Sequence, residues 1–199
     1  MWLQKYSIQA STWENGSIYA PYDEALTLKN KSLEVEPYLN GHSIYLIGLT
    51  GSGKTTVGKI LSHVLGYSFY DRLRYCRGSL QRNNLLFLLV EKKGIIVWLD
   101  VPLETLARRI AAVGTHSRPL LHYEHGDPYT KALKRLSYLL EQRGKNYAKA
   151  NARVSLEEIA GKLGCRDASD LTPIEIAIEE LEQIEEYLKE EGGMATAGF

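Results

Sequence analysis

Gly48-Leu49-Thr50-Gly51-Ser52-Gly53-Lys54-Thr55 reads G-x-x-x-x-G-K-T, and its flanks turn the string into a structural expectation. Ser43-Ile44-Tyr45-Leu46-Ile47, just before it, is the apolar run of a buried parallel strand. Beyond it, Val57, Ile60, Leu61, Val64 and Leu65 recur at i, i+3, i+4, i+7 and i+8, one face of a helix. Strand, glycine loop and helix start together predict a phosphate cradle. The glycines let successive backbone N–H groups turn inward, and the helix N-terminus adds partial positive charge. Gly48, Gly51, Ser52, Gly53 and Thr56 are then expected around the phosphates. Lys54 would reach the β- and γ-phosphates, and the Thr55 hydroxyl would ligate Mg²⁺. The motif predicts binding of a nucleoside triphosphate.

The 199 residues, 44% of them hydrophobic, suffice for one domain with its own core. Lys+Arg and Asp+Glu are equal at 24 each, so no net field points to nucleic acid or to a membrane surface. No apolar run approaches the ~18 residues of a membrane span. Cys76 and Cys165 form no C-x-x-C pair, which fits a reducing compartment.

Residues 1–40 have weak periodicity and read as a poorly ordered lead-in, residues 41–191 as the P-loop domain, and residues 192–199 as a frayed tail. Tyr67-Ser68-Phe69-Tyr70-Asp71 reads as a short second strand, and Ile95-Ile96-Val97-Trp98-Leu99 as a buried one with Trp98 in the core. Leu103, Leu106 and Ile110 mark one helix, and Leu133, Leu136, Leu139 and Leu140 another. Residues 114–128, polar with Gly, His and Pro, read as a mobile loop. Arg153-Val154-Ser155-Leu156 reads as the last strand. Thr172-Pro173-Ile174-Glu175 is a capping box that opens a helix burying Ile174, Ala177, Ile178, Leu181, Ile184 and Leu188. Its glutamates, Glu179, Glu180, Glu182, Glu185 and Glu186, are expected on the wet face. Strands alternating with helices predict a parallel sheet between helical layers. Leu85-Leu86-Phe87-Leu88-Leu89-Val90 offers a further apolar segment of strand length. The arginines at 72, 74, 77 and 82 read as a solvated loop, with a new anion site as the alternative, and His116, His122 and His125 lack the cysteine or paired carboxylate that a zinc shell needs.

Four blocks, in order, resemble shikimate kinase, most closely the plant form. They are the glycine loop continued through Thr56-Val57-Gly58-Lys59; Leu65-Gly66-Tyr67-Ser68-Phe69-Tyr70-Asp71; Val97-Trp98-Leu99-Asp100-Val101-Pro102-Leu103-Glu104; and Ser117-Arg118-Pro119-Leu120-Leu121. The resemblance implies a nucleoside-monophosphate-kinase-like α/β fold, a parallel sheet with helices on both faces. It also implies transfer of the ATP γ-phosphoryl to the 3-hydroxyl of shikimate with Mg²⁺, in the chorismate route to aromatic amino acids. By the same resemblance Asp71 helps hold the metal, Arg118 is the lid arginine over the moving phosphoryl, and Arg143 pairs with the shikimate carboxylate. Arg109, or alternatively Arg108, lies against the adenine.

The middle of the chain departs from the family pattern. Leu73 stands where the family has a second aspartate that orients and deprotonates the accepting hydroxyl. The family's Phe-Arg-x-x-Glu stretch has no counterpart, and Arg77-Gly78-Ser79 replaces a Gly-Gly-Gly turn. Residues 72–94 occupy a region that is much longer in the family, one that holds the shikimate-binding helices and a central strand. Three readings follow: a shikimate kinase of reduced activity, an ATP-binding protein that has lost the transfer, and a kinase for another small anionic acceptor. The plant family is plastidial, which implies a chloroplast protein. Residues 1–40, however, contain no Arg and include Glu14, Asp23, Glu24, Glu34 and Glu36, unlike a transit peptide, so the cytosol stays open as the alternative.

Overall fold

Strands β1 (Ser43–Ile47), β2 (Gly94–Asp100) and β3 (Ala152–Ser155) form one parallel sheet in the order β1-β2-β3. This is seen in a computed structural model that describes residues 21–71, 94–113 and 126–196. Ile44 lies opposite Ile95 and Ile47 opposite Trp98, while Val97 faces Ala152 and Asp100 faces Ser155. Neighbouring residues of a strand point to opposite faces. Ile95, Ile96 and Val97 are buried in succession, so both faces of β2 are covered. Among the described residues β1 has no second neighbour, and its residues are only partly buried or exposed. The sequence-expected strand at 67–71 does not form; the segment runs without regular structure.

Six helices surround the sheet in the described residues: α1 (Pro21–Leu39), α2 (Lys54–Leu65), α3 (Leu103–Val113), α4 (Pro128–Tyr147), α5 (Leu156–Leu163) and α6 (Pro173–Thr196). α6 packs on β2 and β3 and against α1, α2 and α5, while α3 packs on α4. The capping box forms as expected: the Thr172 N–H donates to the Glu175 carboxylate at 2.7 Å, and the Glu175 N–H to the Thr172 hydroxyl at 3.1 Å. α4 opens on a cap within the stretch read as loop: the Asp127 carboxylate accepts from the N–H groups of Tyr129 and Thr130, with Pro128 at the first helical position. The arginine-rich segment, the run from Leu85 to Val90, Leu73 and the three histidines near position 120 lie outside the described residues.

Three expectations are corrected. Residues 21–39 are no loose lead-in but a helix whose Leu28, Ser32, Val35 and Leu39 are buried, spaced i, i+4, i+7 and i+11. Lys31 donates to Glu185 of α6 at 2.7 Å, and the Thr172 hydroxyl donates to Glu24 at 3.2 Å. The helix ends at a left-handed pair, Asn40 (φ 40°) and Gly41 (φ 75°), and the His42 N–H returns to the Leu39 carbonyl at 2.7 Å. In the stretch read as a frayed tail, helical backbone continues to Thr196. The glutamates of α6 are not uniformly wet: Glu180 is fully buried, with neither carboxylate oxygen bonded among the described residues, and Glu185 is buried against Lys31 and Lys189.

Candidate nucleotide site

The loop between β1 and α2 closes tightly against the end of β2. Gly48 sits at φ 143°, and a Cβ there would meet the Leu99 carbonyl oxygen at 2.6 Å. No side chain fits, which is why the motif begins with glycine. Gly51 and Gly53 also take positive φ, 85° and 96°, and Gly53 caps α2, with the Thr56 and Val57 N–H groups donating back to its carbonyl at 2.9 and 3.0 Å. Ser52 is fully buried under the loop. Thr55 and Thr56 stand exposed on the first turn of α2, facing the anion-binding end of the helix.

The Lys54 ammonium donates to the Leu49 carbonyl at 2.6 Å and the Ser52 hydroxyl at 2.9 Å. Burial pulls its pKa down to about 8; Asp71 opposes that shift and Arg143 adds to it. The Lys54 ammonium thus lies within electrostatic reach of both Asp71 and Arg143. The Thr55 hydroxyl donates to the Asp71 carboxylate at 3.1 Å, bringing both expected metal contacts together across 16 residues of chain. Two hard oxygen groups beside a phosphate cradle suit Mg²⁺, which uses few protein ligands and completes its shell with phosphate and water. Asp71 gets there because its segment is anchored on α2: the Phe69 ring packs where a Cβ at Gly58 would come within 2.8 Å of it.

Arg109 is not bonded to this group. It is half-buried on α3 and donates to the Ala168 carbonyl at 3.4 Å, and burial lowers its pKa while Asp167 opposes the shift. Its neighbour Arg108 pairs with Asp167. Arg118 lies outside the described residues. Sequence reading missed the brace at the ends of β2 and β3, where Arg153 donates to Asp100 at 2.9 and 2.6 Å and stands 5.4 Å over the half-buried Trp98 ring. It also missed the turn at Asp167, whose only sequence signal is an Asp-x-Ser triplet. Among the described residues no group of three His, Cys, Asp or Glu could hold a metal unaided, and no helix is long and apolar enough to cross a membrane.

Comparison with known proteins fits this geometry. The family model described as Shikimate kinase matches residues 76–189, more than half of the chain, beginning downstream of the glycine loop. Matches to whole proteins include the loop side as well. "Shikimate kinase 1, chloroplastic" of Arabidopsis thaliana is 46% identical over 222 positions, covering 91% of this chain and 73% of that protein. "Shikimate kinase, chloroplastic" of Solanum lycopersicum is 46% identical over 224, covering 92% and 74%. A more distant relative, "Probable inactive shikimate kinase like 1, chloroplastic" of Arabidopsis thaliana, is 28% identical over 203, covering 81% and 69%. In the first match, the aligned positions outnumber the residues that 91% of 199 can supply by about 40, so the relative has that many residues with no counterpart here. On the family match and these identities, the chain belongs to the shikimate kinase family.

Proposed function

We propose that the chain is an ATP-dependent kinase that passes the γ-phosphoryl group to the 3-hydroxyl of shikimate, slowly because its acceptor side is incomplete. The observation that supports this best is the convergence of Lys54, Thr55 and Asp71 on the glycine loop. In the reaction the acceptor oxygen attacks phosphorus, the bond to the β–γ bridging oxygen breaks, and ADP leaves. Catalysis of such a transfer is mostly positioning and charge stabilisation. The loop N–H groups and Lys54 hold the β- and γ-phosphates, and Arg118 closes over the moving group. Arg143 pairs with the substrate carboxylate through its planar fork. Mg²⁺ held by Thr55 and Asp71 would neutralise phosphate charge. With Leu73 in place of the family's second aspartate, the hydroxyl proton lacks its usual acceptor, a loss of about 10²–10⁴ in rate. The relatives are chloroplastic, and resemblance assigns this chain to the chloroplast with them.

A second reading, ATP binding without transfer, is favoured by the shortfall of about 40 aligned residues, which we assign to residues 72–94. A coupled ADP-release assay at saturating Mg·ATP, with shikimate titrated into the millimolar range, separates the two. Slow, shikimate-dependent turnover that Lys54→Ala abolishes is expected. Turnover above about 1 s⁻¹, the ordinary kinase range, would overthrow the impaired-acceptor reading, and ADP release indifferent to shikimate would favour the second.

A further inference from the structure

We propose that Arg153 is a positioning residue for phosphoryl transfer: by pinning Asp100 and covering Trp98 it fixes the end of β2, the surface on which the last turns of α4 set Arg143 beside the phosphate cradle. This rests on the reading above that Arg143 pairs with the acceptor carboxylate.

The parallel register places Arg153 beside Trp98, with Asp100 two residues further along β2, so all three side chains lie on one face of the sheet. All three guanidinium nitrogens are engaged: Nε and Nη2 donate to one Asp100 oxygen at 2.9 and 2.6 Å, and Nη1 donates to Glu158 of α5 at 3.4 Å. The flat face is left to the indole, whose centre is 5.4 Å from the guanidinium carbon. The same indole meets the buried Tyr147 ring of α4 at 5.9 Å between centres, tilted by 36°.

Leu140, Arg143 and Tyr147 are spaced i, i+3 and i+7, one stripe of α4. Both flanking residues reach the end of β2: Tyr147 through Trp98, and Leu140 across a cavity that Leu49, Trp98 and Asp100 also line. Four residues past Tyr147 the chain closes back on β2. There the Asn151 N–H donates to the Ile96 carbonyl at 2.9 Å, and its side-chain oxygen accepts from the Ile96 N–H at 2.8 Å. The Arg143 charge reaches Lys54, so the stripe is turned toward the cradle. The glycine loop, for its part, leans on the Leu99 carbonyl, next to Asp100. Cradle and acceptor arginine are thus aligned through one short stretch, Trp98 to Asp100, and Arg153 ties both ends of it.

An exposed ion pair contributes little to folding stability, whereas transfer depends on close alignment of the reacting groups. Loss of Arg153 should therefore appear in acceptor binding rather than in the melt. The test measures kcat and both KM values of the full chain by coupled ADP release. Calorimetric titration of shikimate into the Mg·ADP complex gives its Kd, which suffices where turnover is too slow to follow. Arg153→Gln should raise the shikimate KM and Kd about fivefold, well short of the ~10²-fold that a misplacement of ~1 Å can cost, and leave the ATP KM and Mg·ADP Kd within about twofold. Arg153→Lys, which keeps the charge but neither fork nor flat stack, should recover part of the loss. Asp100→Asn should reproduce the loss and stands in if Arg153→Gln folds poorly. Arg143→Ala should raise the shikimate Kd further, and adding Arg153→Gln to it should cost nothing more, because one residue acts through the other. An equal rise for both substrates, a fall in kcat alone, unchanged shikimate affinity in Arg153→Gln, or additivity with Arg143→Ala overturns the proposal. If the wild type binds no shikimate, or Arg143→Ala binds it as the wild type does, the acceptor reading falls and the proposal with it. Mg·ADP binding would still report an intact phosphate cradle.

Discussion

Lys54 carries the site's pH dependence. Its folded pKa, about 8, lies below the ordinary 10.5, so the charged form that triphosphate needs predominates only below pH 8 in the free protein. Mg·ATP affinity is therefore expected to be flat from pH 7 to about 8 and then to fall by up to tenfold per pH unit. Titrations from pH 7 to 9.5 check this, and a profile level to pH 9.5 would contradict it. Glu180 is the opposite kind of residue, an ionisable group whose burial serves no chemistry described above. With its pKa raised well above 4.5 by burial alone, its contribution to stability is fully present below pH 4.5. It is lost as pH rises through the folded value. Among the described residues no partner bonds it: Glu179 is engaged by Lys162, Glu185 by Lys31 and Lys189, and Tyr187 by Asn151. Glu180→Leu should stabilise the protein by about 1–3 kcal/mol at pH 7, the cost of leaving a buried polar group unsatisfied. The gain should shrink toward pH 5, as urea melts at the two pH values would show.

At the scale of elements, sequence and structure agree where a motif has a local cause. The glycine loop, α2 and the box at Thr172 are each fixed by neighbours a few residues away, so their residues announce them; β2 pairs with distant strands but announces itself by its unbroken apolar run. α1 escaped because its buried face is assembled from Leu28, Ser32, Val35 and Leu39, one of them polar and with Pro37 among them, and because its partner α6 lies some 150 residues on. Tyr67 to Asp71 has a strand's composition, but strand structure needs a paired neighbour, and here the segment follows the seat of Phe69 on Gly58 instead. Within the site, Lys54 and Thr55 were legible from spacing, whereas the turn at Asp167 depends on where α3 lies, which no local pattern encodes. The α1 assignment has a direct test. Leu39 is 1% exposed, so Leu39→Ala should cost about 2–5 kcal/mol, the usual range for a buried leucine. Denaturant melts would show a shift of that size, and a loss under 0.5 kcal/mol would mean that α1 is only loosely held.

For the whole molecule, a sheet of three strands among the described residues, with β1 at its edge, and about 40 residues of a relative without counterpart leave little margin. The free protein should melt below ~65 °C, the top of the usual mesophilic range. Millimolar Mg·ATP should raise the midpoint, and Lys54→Ala should remove the rise. A ligand-independent melt above that temperature would refute the expectation of low stability. The bond from Thr172 to Glu24 and the burial of Leu28 also bear on maturation. A chloroplast protein is commonly trimmed at its amino end after import, and here the helix ahead of the glycine loop is a structural wall of the kinase. A processing peptidase would have to cut upstream of Glu24, since a cut at the Asn40–Gly41 turn, although it would spare every phosphate-binding residue, would strip the cover from α6.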